Sequence, residues 1–263
     1  MELSTLRVLA EQTEQEVREA GEVVRSIRRP EVSAKEGHAN FVTSADLASQ
    51  RYLMEKLAAL LPGAGFLAEE GEGSVLPDGP CWVIDPIDGT ANFVRGCRRS
   101  AISVGLVSGR EGLLGVVYNF DSGELFSAVK GGGAFLNGAP IRAAETPLAE
   151  SLLVFGSSPY YRELLDPTFA VVKRLFCECG DIRRTGSAAL DLCDLAAGRY
   201  DGFFEARLSP WDYAAASVVI REAGGEICSG RMGLSYAKPA PICAGSGPLF
   251  ARILAAAEAE GLL

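Results

Sequence analysis

The stretch Trp82-Val83-Ile84-Asp85-Pro86-Ile87-Asp88-Gly89-Thr90 runs an apolar strand straight into two carboxylates, a proline, a glycine and a hydroxyl. Carboxylates three positions apart at the mouth of a buried strand are costly in a low-dielectric setting unless a positive group lies between them. A hard divalent cation supplies that charge. Magnesium takes oxygen ligands, keeps several waters, and is usually held by one or two carboxylates plus the oxygens of a substrate phosphate. Pro86 fixes its own φ and stiffens the turn, so Asp85 and Asp88 can face one point while the Ile87 carbonyl is free as a further ligand. Gly89 lets the backbone come close to a ligand, and Thr90 offers a hydroxyl and an amide where the next element begins.

Completed by Asn92-Phe93, this run resembles the first signature of the inositol monophosphatase family, the magnesium-dependent, lithium-sensitive phosphomonoesterases. Trp211-Asp212-Tyr213-Ala214-Ala215-Ala216 followed by Glu222-Ala223-Gly224-Gly225 is similar to its second signature. Phe66-Leu67-Ala68-Glu69-Glu70 resembles the family's strand ending in Gly-Glu-Glu, and Lys35 with Asn40-Phe41-Val42-Thr43-Ser44-Ala45-Asp46 resembles another of its stretches. Arg183 with Gly186-Ser187-Ala188-Ala189, and then Phe203-Phe204-Glu205, match the segments that hold substrate hydroxyls in that family, so the resemblance covers nearly the whole chain.

The resemblance implies a site. Glu69, Asp85, Asp88 and Asp212, with the Ile87 carbonyl, would hold two or three Mg2+ ions. The amides of Gly89 and Thr90 would hold phosphate, and Gly186, Ser187, Ala188 and Glu205, with Asp88 and Asp212, would contact the rest of the substrate. The implied reaction is direct in-line attack on phosphorus by metal-activated water, without a phosphoenzyme, with Glu69, Thr90 and Asp88 as the catalytic residues. On its own physics Asp212 is equally a first-turn helix acid, since acids are favoured there. Adjacent strand side chains face opposite ways, so only one of Glu69 and Glu70 can point into the site, and the resemblance assigns that role to Glu69. Three departures stand out: Asn40 for the usual Asp, Ala68 for the usual Gly, and Arg98-Arg99 where relatives commonly carry a proline and apolar residues. Arg98, Arg99 and Arg207 could read a second anionic group on the substrate, or simply solubilise the surface.

Bulk properties fit an enzyme of this kind. The 263 residues, 48% of them hydrophobic, can bury a large core. A net charge of −9 argues against nucleic acid as a partner, because phosphate backbones are met by clustered Lys and Arg. Seven scattered cysteines, at 81, 97, 177, 179, 193, 228 and 243, show no paired CxxC motifs and read as free thiols of a reducing cytoplasm. No apolar run is long enough to cross a membrane, and no leader is apparent. His38, the single histidine, reads as solvent-exposed, which leaves no imidazole for histidine-phosphatase or Ser-His-Asp chemistry. Two residues separate the acids, where the haloacid dehalogenase string Asp-x-Asp-Gly-Thr has one, and no Gly-rich loop ending in Lys is present.

The periodicity predicts helices over 4–28, 44–61 (with Ser44 as N-cap and Pro62-Gly63 as stop), 160–177, 187–198, 211–224 and 247 to the end. Strands are expected at 66–69, 81–84, 100–107, 112–119, 124–129, 152–156, 180–184, 202–206 and 241–244, with a hairpin at Asn137-Gly138 between Phe135-Leu136 and Ile141. This is an α+β pattern, and the resemblance sharpens it to a five-layered αβαβα sandwich. We expect an N-terminal half, 1–145, carrying most metal ligands, and a C-terminal half, 146–263, carrying Asp212 and the substrate-contacting residues. The expected activity is hydrolysis of inositol monophosphate or a related small polyol phosphate. Histidinol phosphate, fructose 1,6-bisphosphate and adenosine 3′,5′-bisphosphate are alternative substrates, and a regulatory, protein-binding role is an alternative function. A homodimer is expected by resemblance.

Overall fold

In the computed structural model, residues 1–34, 41–71, 76, 78–230 and 233–263 are described. The first half runs α1 (Leu3–Ser26), β1 (Val32–Ala34), β2 (Phe41–Thr43), α2 (Ser44–Leu60), β3 (Gly65–Ala68), β4 (Pro80–Asp88), α3 (Thr90–Arg95), β5 (Ala101–Ser108), β6 (Glu111–Asn119), β7 (Glu124–Val129), β8 (Gly133–Leu136) and β9 (Ala139–Pro140). There follow β10 (Leu152–Phe155), α4 (Leu165–Phe176), β11 (Asp181–Arg183), α5 (Ala188–Ala196), β12 (Gly202–Leu208), α6 (Pro210–Glu222), β13 (Glu226–Cys228), β14 (Ala240–Gly245) and α7 (Gly247–Ala259).

Strands β3 to β9 form one sheet in chain order, antiparallel except for the β3–β4 pair. A second sheet has the order β11-β10-β12-β14-β13. Alternation along β4 shows how the layers stack: Trp82 and Ile84 face the core under α1 and α2, while Cys81 and Val83 face the core shared with α5 and α6. The other face of the second sheet packs its own core against α4 and α7. The order is therefore α1/α2, sheet, α5/α6, sheet, α4/α7, the five-layered αβαβα sandwich.

Where the elements differ from the sequence reading, the reasons are local. Thr43, not Ser44, caps α2: its hydroxyl accepts the Ala45 amide at 3.1 Å, and the Asp46 carboxylate returns to the Thr43 amide at 2.9 Å, a reciprocal capping box. Helix α4 starts at Leu165 rather than 160, because Pro167 is tolerated only in a first turn; a short 3₁₀ turn, Arg162–Leu164, precedes it. Strands β1, β2 and β13 have three residues each, too few to show a period of two. The hairpin holds, with Asn137 and Gly138 both left-handed between β8 and β9.

Candidate metal centre

Residues three apart on an unbroken strand point to opposite faces. Asp85 and Asp88 share a face because β4 is bulged. Its pairing with β5 runs Asp85 to Ser103 and then Asp88 to Ala101, three steps against two. The extra residue falls at Pro86-Ile87, where proline has no N–H for the ladder. Ile87 turns into the core under α1 and α2, and Asp88 emerges toward α5. Asp85 Oδ1 accepts the Ile87 amide at 3.0 Å. Asp88 Oδ2 accepts the Ser187 hydroxyl and, at 2.9 Å, the Ala189 amide at the start of α5.

Asp212 arrives on α6, which lies unusually close to the large sheet. Gly105 and Gly115 pair across β5 and β6 beneath it. A Cβ on Gly115 would lie 2.1 Å from the Ala215 carbonyl oxygen, and one on Gly105 would lie 3.0 Å from the Ala215 nitrogen. The small run Ala214-Ala215-Ala216 is the contact surface that permits this approach. Asp212 is also the third residue of α6, and its Oδ2 accepts the Ser209 amide at 2.7 Å. The helix-cap reading of Asp212 is thus correct, yet it leaves the second oxygen for the cluster. One oxygen each from Asp85, Asp88 and Asp212 lies within 4.8 Å of the other two.

Burial strains this group. It lifts Asp85 well above the usual carboxylate range, reinforced by the charges of Glu69, Asp88 and Asp212. Asp212 is likewise raised well, by burial and then by Asp88 and Glu69. Asp88 is pushed up to about 6 by burial, against the opposing pull of its Ser187 and Ala189 hydrogen bonds. Glu69, following β3, donates its amide to the Ile84 carbonyl at 3.1 Å, and strand alternation from Leu67 places it on the Asp85 face. It stands outside the tight three-oxygen group but acts electrostatically on two of its members. Glu70 is instead fastened by its backbone to Gln50 of α2, with its amide donating to Gln50 Oε1 at 2.9 Å. Among the described residues, no Lys or Arg forms an ion pair with Asp85, Asp88 or Asp212. An all-oxygen, acidic, cation-free cluster is chemically suited to Mg2+.

Next to the carboxylates, Gly89 adopts φ 82°, a left-handed conformation, as the N-cap of α3. The Thr90 hydroxyl lies 3.0 Å from the Ile87 carbonyl and 3.3 Å from Asp46 Oδ1. The single Thr90 hydroxyl proton can go to either acceptor, the Ile87 carbonyl being the nearer. Asp46 is fully buried, and burial raises it too, opposed by Thr43. Its contact with Thr90 was not legible in the sequence, since the Thr-x-x-Asp pattern around it reads completely as a helix cap and 44 residues separate the partners.

The predicted substrate-side residues gather at the same mouth. Ser187 is buried and spends its hydroxyl on Asp88, so it faces the metal centre as a support; Gly186 and Ala188 flank it. Glu205, on β12, is buried and pushed up to about 7, first by burial, with the Ser158 amide opposing at 2.8 Å and Arg184 also lowering it. Gly156 leaves room for that carboxylate, since a Cβ there would lie 1.8 Å from its Oε2. Of the three arginines considered for a second anionic group, Arg99 is committed internally to Asp191 and Asp194. Arg207 stacks over Tyr161 at 4.4 Å, and Arg98 is exposed. Glu222 of the second signature has no place in the site: it accepts the amides of Gly131 and Gly133 at 2.8 and 2.9 Å and pins the turn between β7 and β8. Lys35, His38 and Asn40 lie outside the described residues.

A five-layered α+β sandwich with three carboxylates placed so that they could hold a metal ion defines the class of fold and site, and comparison with known proteins specifies it. The sequence profile of the inositol monophosphatase family matches residues 5–262. The chain belongs to the inositol monophosphatase family. It is 36% identical to the Nus factor SuhB of Salmonella typhimurium over 244 residues, covering 90% of this chain and 91% of that one. It is 41% identical to an inositol-1-monophosphatase of Rhizobium meliloti over 201 residues, 76% of this chain and 75% of that one. The crystal structure of the extragenic suppressor protein suhB from Bartonella henselae superposes with a TM-score of 0.84 at 32% identity, covering 92% of this chain and 95% of that one. Among the described residues, no helix is long and apolar enough to cross a membrane.

Proposed function

We propose that the protein is a Mg2+-dependent phosphomonoesterase acting on inositol monophosphate or a similar small polyol phosphate. The observation that carries this reading is the convergence of Asp85, Asp88 and Asp212 within 4.8 Å, the first two buried and the third half-buried, with no Lys or Arg ion-paired to them among the described residues. Family membership and the Rhizobium meliloti relative's name support it. Asp85, Asp88 and Asp212, with Glu69 and the Ile87 carbonyl, would hold the ions. When bound there, Mg2+ supplies Lewis acidity and charge neutralisation at a transferring phosphoryl group.

The chain's own residues do the rest. The Thr90 hydroxyl can donate to Asp46 or to the Ile87 carbonyl, which turns its oxygen lone pairs outward as acceptors for a water proton. Glu69 is the base that takes the proton as water attacks phosphorus in line and the ester P–O bond breaks, the departing oxygen taking a proton from solvent water to leave as the alcohol. The amides of Gly89 and Thr90 hold phosphate oxygens. Glu205, with its carboxylate close to Arg184, orients the hydroxyls of the departing polyol. A homodimer belongs to the same proposal.

The test is phosphate release by purified protein, with and without Mg2+, from inositol 1-phosphate, histidinol phosphate, fructose 1,6-bisphosphate and adenosine 3′,5′-bisphosphate, with Asp88→Asn as control. We expect metal-dependent turnover, best on inositol 1-phosphate and lost in Asp88→Asn. The Salmonella typhimurium relative's name favours a second reading, a regulatory protein-binding role. Silence on all four substrates from folded, metal-binding protein would point to a phosphorylated substrate outside this panel or to that regulatory role.

A further inference from the structure

Helix α5 has nine residues and carries two buried carboxylates, Asp191 and Asp194, three apart and so neighbours on one face. Arg99 reaches both from the segment after α3, its Nη2 donating to Asp191 Oδ1 at 2.8 Å and to Asp194 Oδ2 at 2.7 Å. The same two segments are tied again by Asn92, whose Nδ2 donates to the carbonyls of Arg99 at 2.8 Å and Thr185 at 3.1 Å. The Thr185 hydroxyl then donates to Asp191 at 2.5 Å. Asp194 has a second cation, Arg199, at 2.7 Å, whereas Arg99 is the one arginine paired with Asp191 among the described residues.

The position of Arg99 gives these ion pairs a direction. Two residues further on, Ala101 is the strand partner of Asp88. The first turn of α5, through Ser187 and the Ala189 amide, grips the Asp88 carboxylate. Helix and ligand are thus fixed to the same stretch of ladder, one through Arg99 and the other through β4.

We infer that Arg99 is a positioning residue: its ion pairs with Asp191 and Asp194 lock the first turn of α5 against the backbone that carries Asp88, and thereby set the orientation of that carboxylate in the metal centre. The inference rests on the metal-centre reading given above. Outer supports of metal ligands typically matter 10- to 100-fold in affinity or activity.

The experiment compares wild type, Arg99→Met, Arg99→Lys and the double variant Arg99→Met/Asp191→Asn. Mn2+ binding is read by electron paramagnetic resonance, the Mg2+ dependence by phosphate release, and folding by thermal melting. Arg99→Met should weaken Mn2+ binding about tenfold and raise the Mg2+ half-saturation in parallel. Arg99→Lys should recover part of both. Adding Asp191→Asn removes the buried unpaired charge, so it should recover melting temperature but not Mn2+ affinity. Wild-type Mn2+ affinity in folded Arg99→Met, or its recovery together with melting temperature in the double variant, would overturn the inference. Wild type that fails to bind Mn2+ would overturn the metal-centre reading as well, a result distinguishable because it appears before any substitution is made.

Discussion

Gly115→Ala tests whether the approach of α6 to the large sheet sets the metal centre. The added methyl would meet the Ala215 carbonyl oxygen at 2.1 Å, its carbon at 2.8 Å and its Cα at 3.0 Å. Close carbon–oxygen contacts run near 3.3 Å, so the helix or the strand must yield by about 1.2 Å. All three atoms are backbone, so no side-chain rotation relieves the clash. Overpacking of this kind costs roughly 1–3 kcal/mol, and we expect a melting temperature lower by about 3–10 °C. Asp212 is three residues from Ala215, about 4.5 Å along the helix, so it shares most of the displacement. Magnesium demands near-ideal geometry at short ligand distances, and a misplacement of about 1 Å can cost on the order of a hundredfold in rate. Thermal melting and Mg2+-dependent phosphate release, measured beside Gly71→Ala, whose added methyl would meet nothing within 4 Å, are the assays. Gly115→Ala that melts within 1 °C of wild type (about 0.3 kcal/mol) and keeps its turnover would refute the reasoning.

The two jobs of Asp212 can be separated: Asp212→Asn keeps an acceptor for the Ser209 amide, so melting should hold while metal binding fails, whereas Asp212→Ala should also lose about 1 kcal/mol of cap stability, both read by denaturant unfolding and Mn2+ titration. The site also dictates a pH dependence. Asp88 and Glu205 titrate at about 6 and about 7 in the fold, above their ordinary 3.8 and 4.5, so they stabilise the metal-free protein below those ordinary values and lose that contribution as pH rises through 6 and 7. Mg2+ offsets the charge so formed, and its thermal shift should be larger at pH 8 than at pH 6; equal shifts would contradict the assignment. Glu222→Ala should cost about 1.5 kcal/mol by freeing the Gly131 and Gly133 amides, with the Mg2+ half-saturation unchanged in a titration of phosphate release.

Much of this was legible in the sequence, for reasons that differ by residue. Strands β4 to β7 announce themselves as long apolar runs between turn residues, and Asp85 and Asp88 stand out because carboxylates rarely follow such runs without a cation. The layer order came from resemblance rather than from periodicity. What stayed hidden depends on contacts distant in sequence. Ser187 reads as a substrate contact until its hydroxyl is seen to reach Asp88, 99 residues away. Glu222 belongs to the same signature as Asp212, yet a signature records that residues are needed without saying for what; one holds a turn and the other faces the cluster. Arg99 reads as a surface cation because nothing local marks Asp191 and Asp194 as its partners.

The bulge at Pro86-Ile87 has a consequence for how this segment can change over time. Strand pairing counts residues in twos, and the bulge adds one, so the direction of Asp88 is a matter of parity. Pairing the same residues without the bulge, three steps against three, would leave a regular strand and carry the carboxylate to the opposite side, into the apolar layer beneath α1 and α2. The segment can therefore drift in side-chain identity at Trp82, Val83 or Ile84 far more freely than in the bulge itself, which Pro86 holds open by having no N–H for the ladder. In this protein the cluster and the greasy interior are two destinations for one side chain, and whether β5 answers three residues with two or with three decides between them.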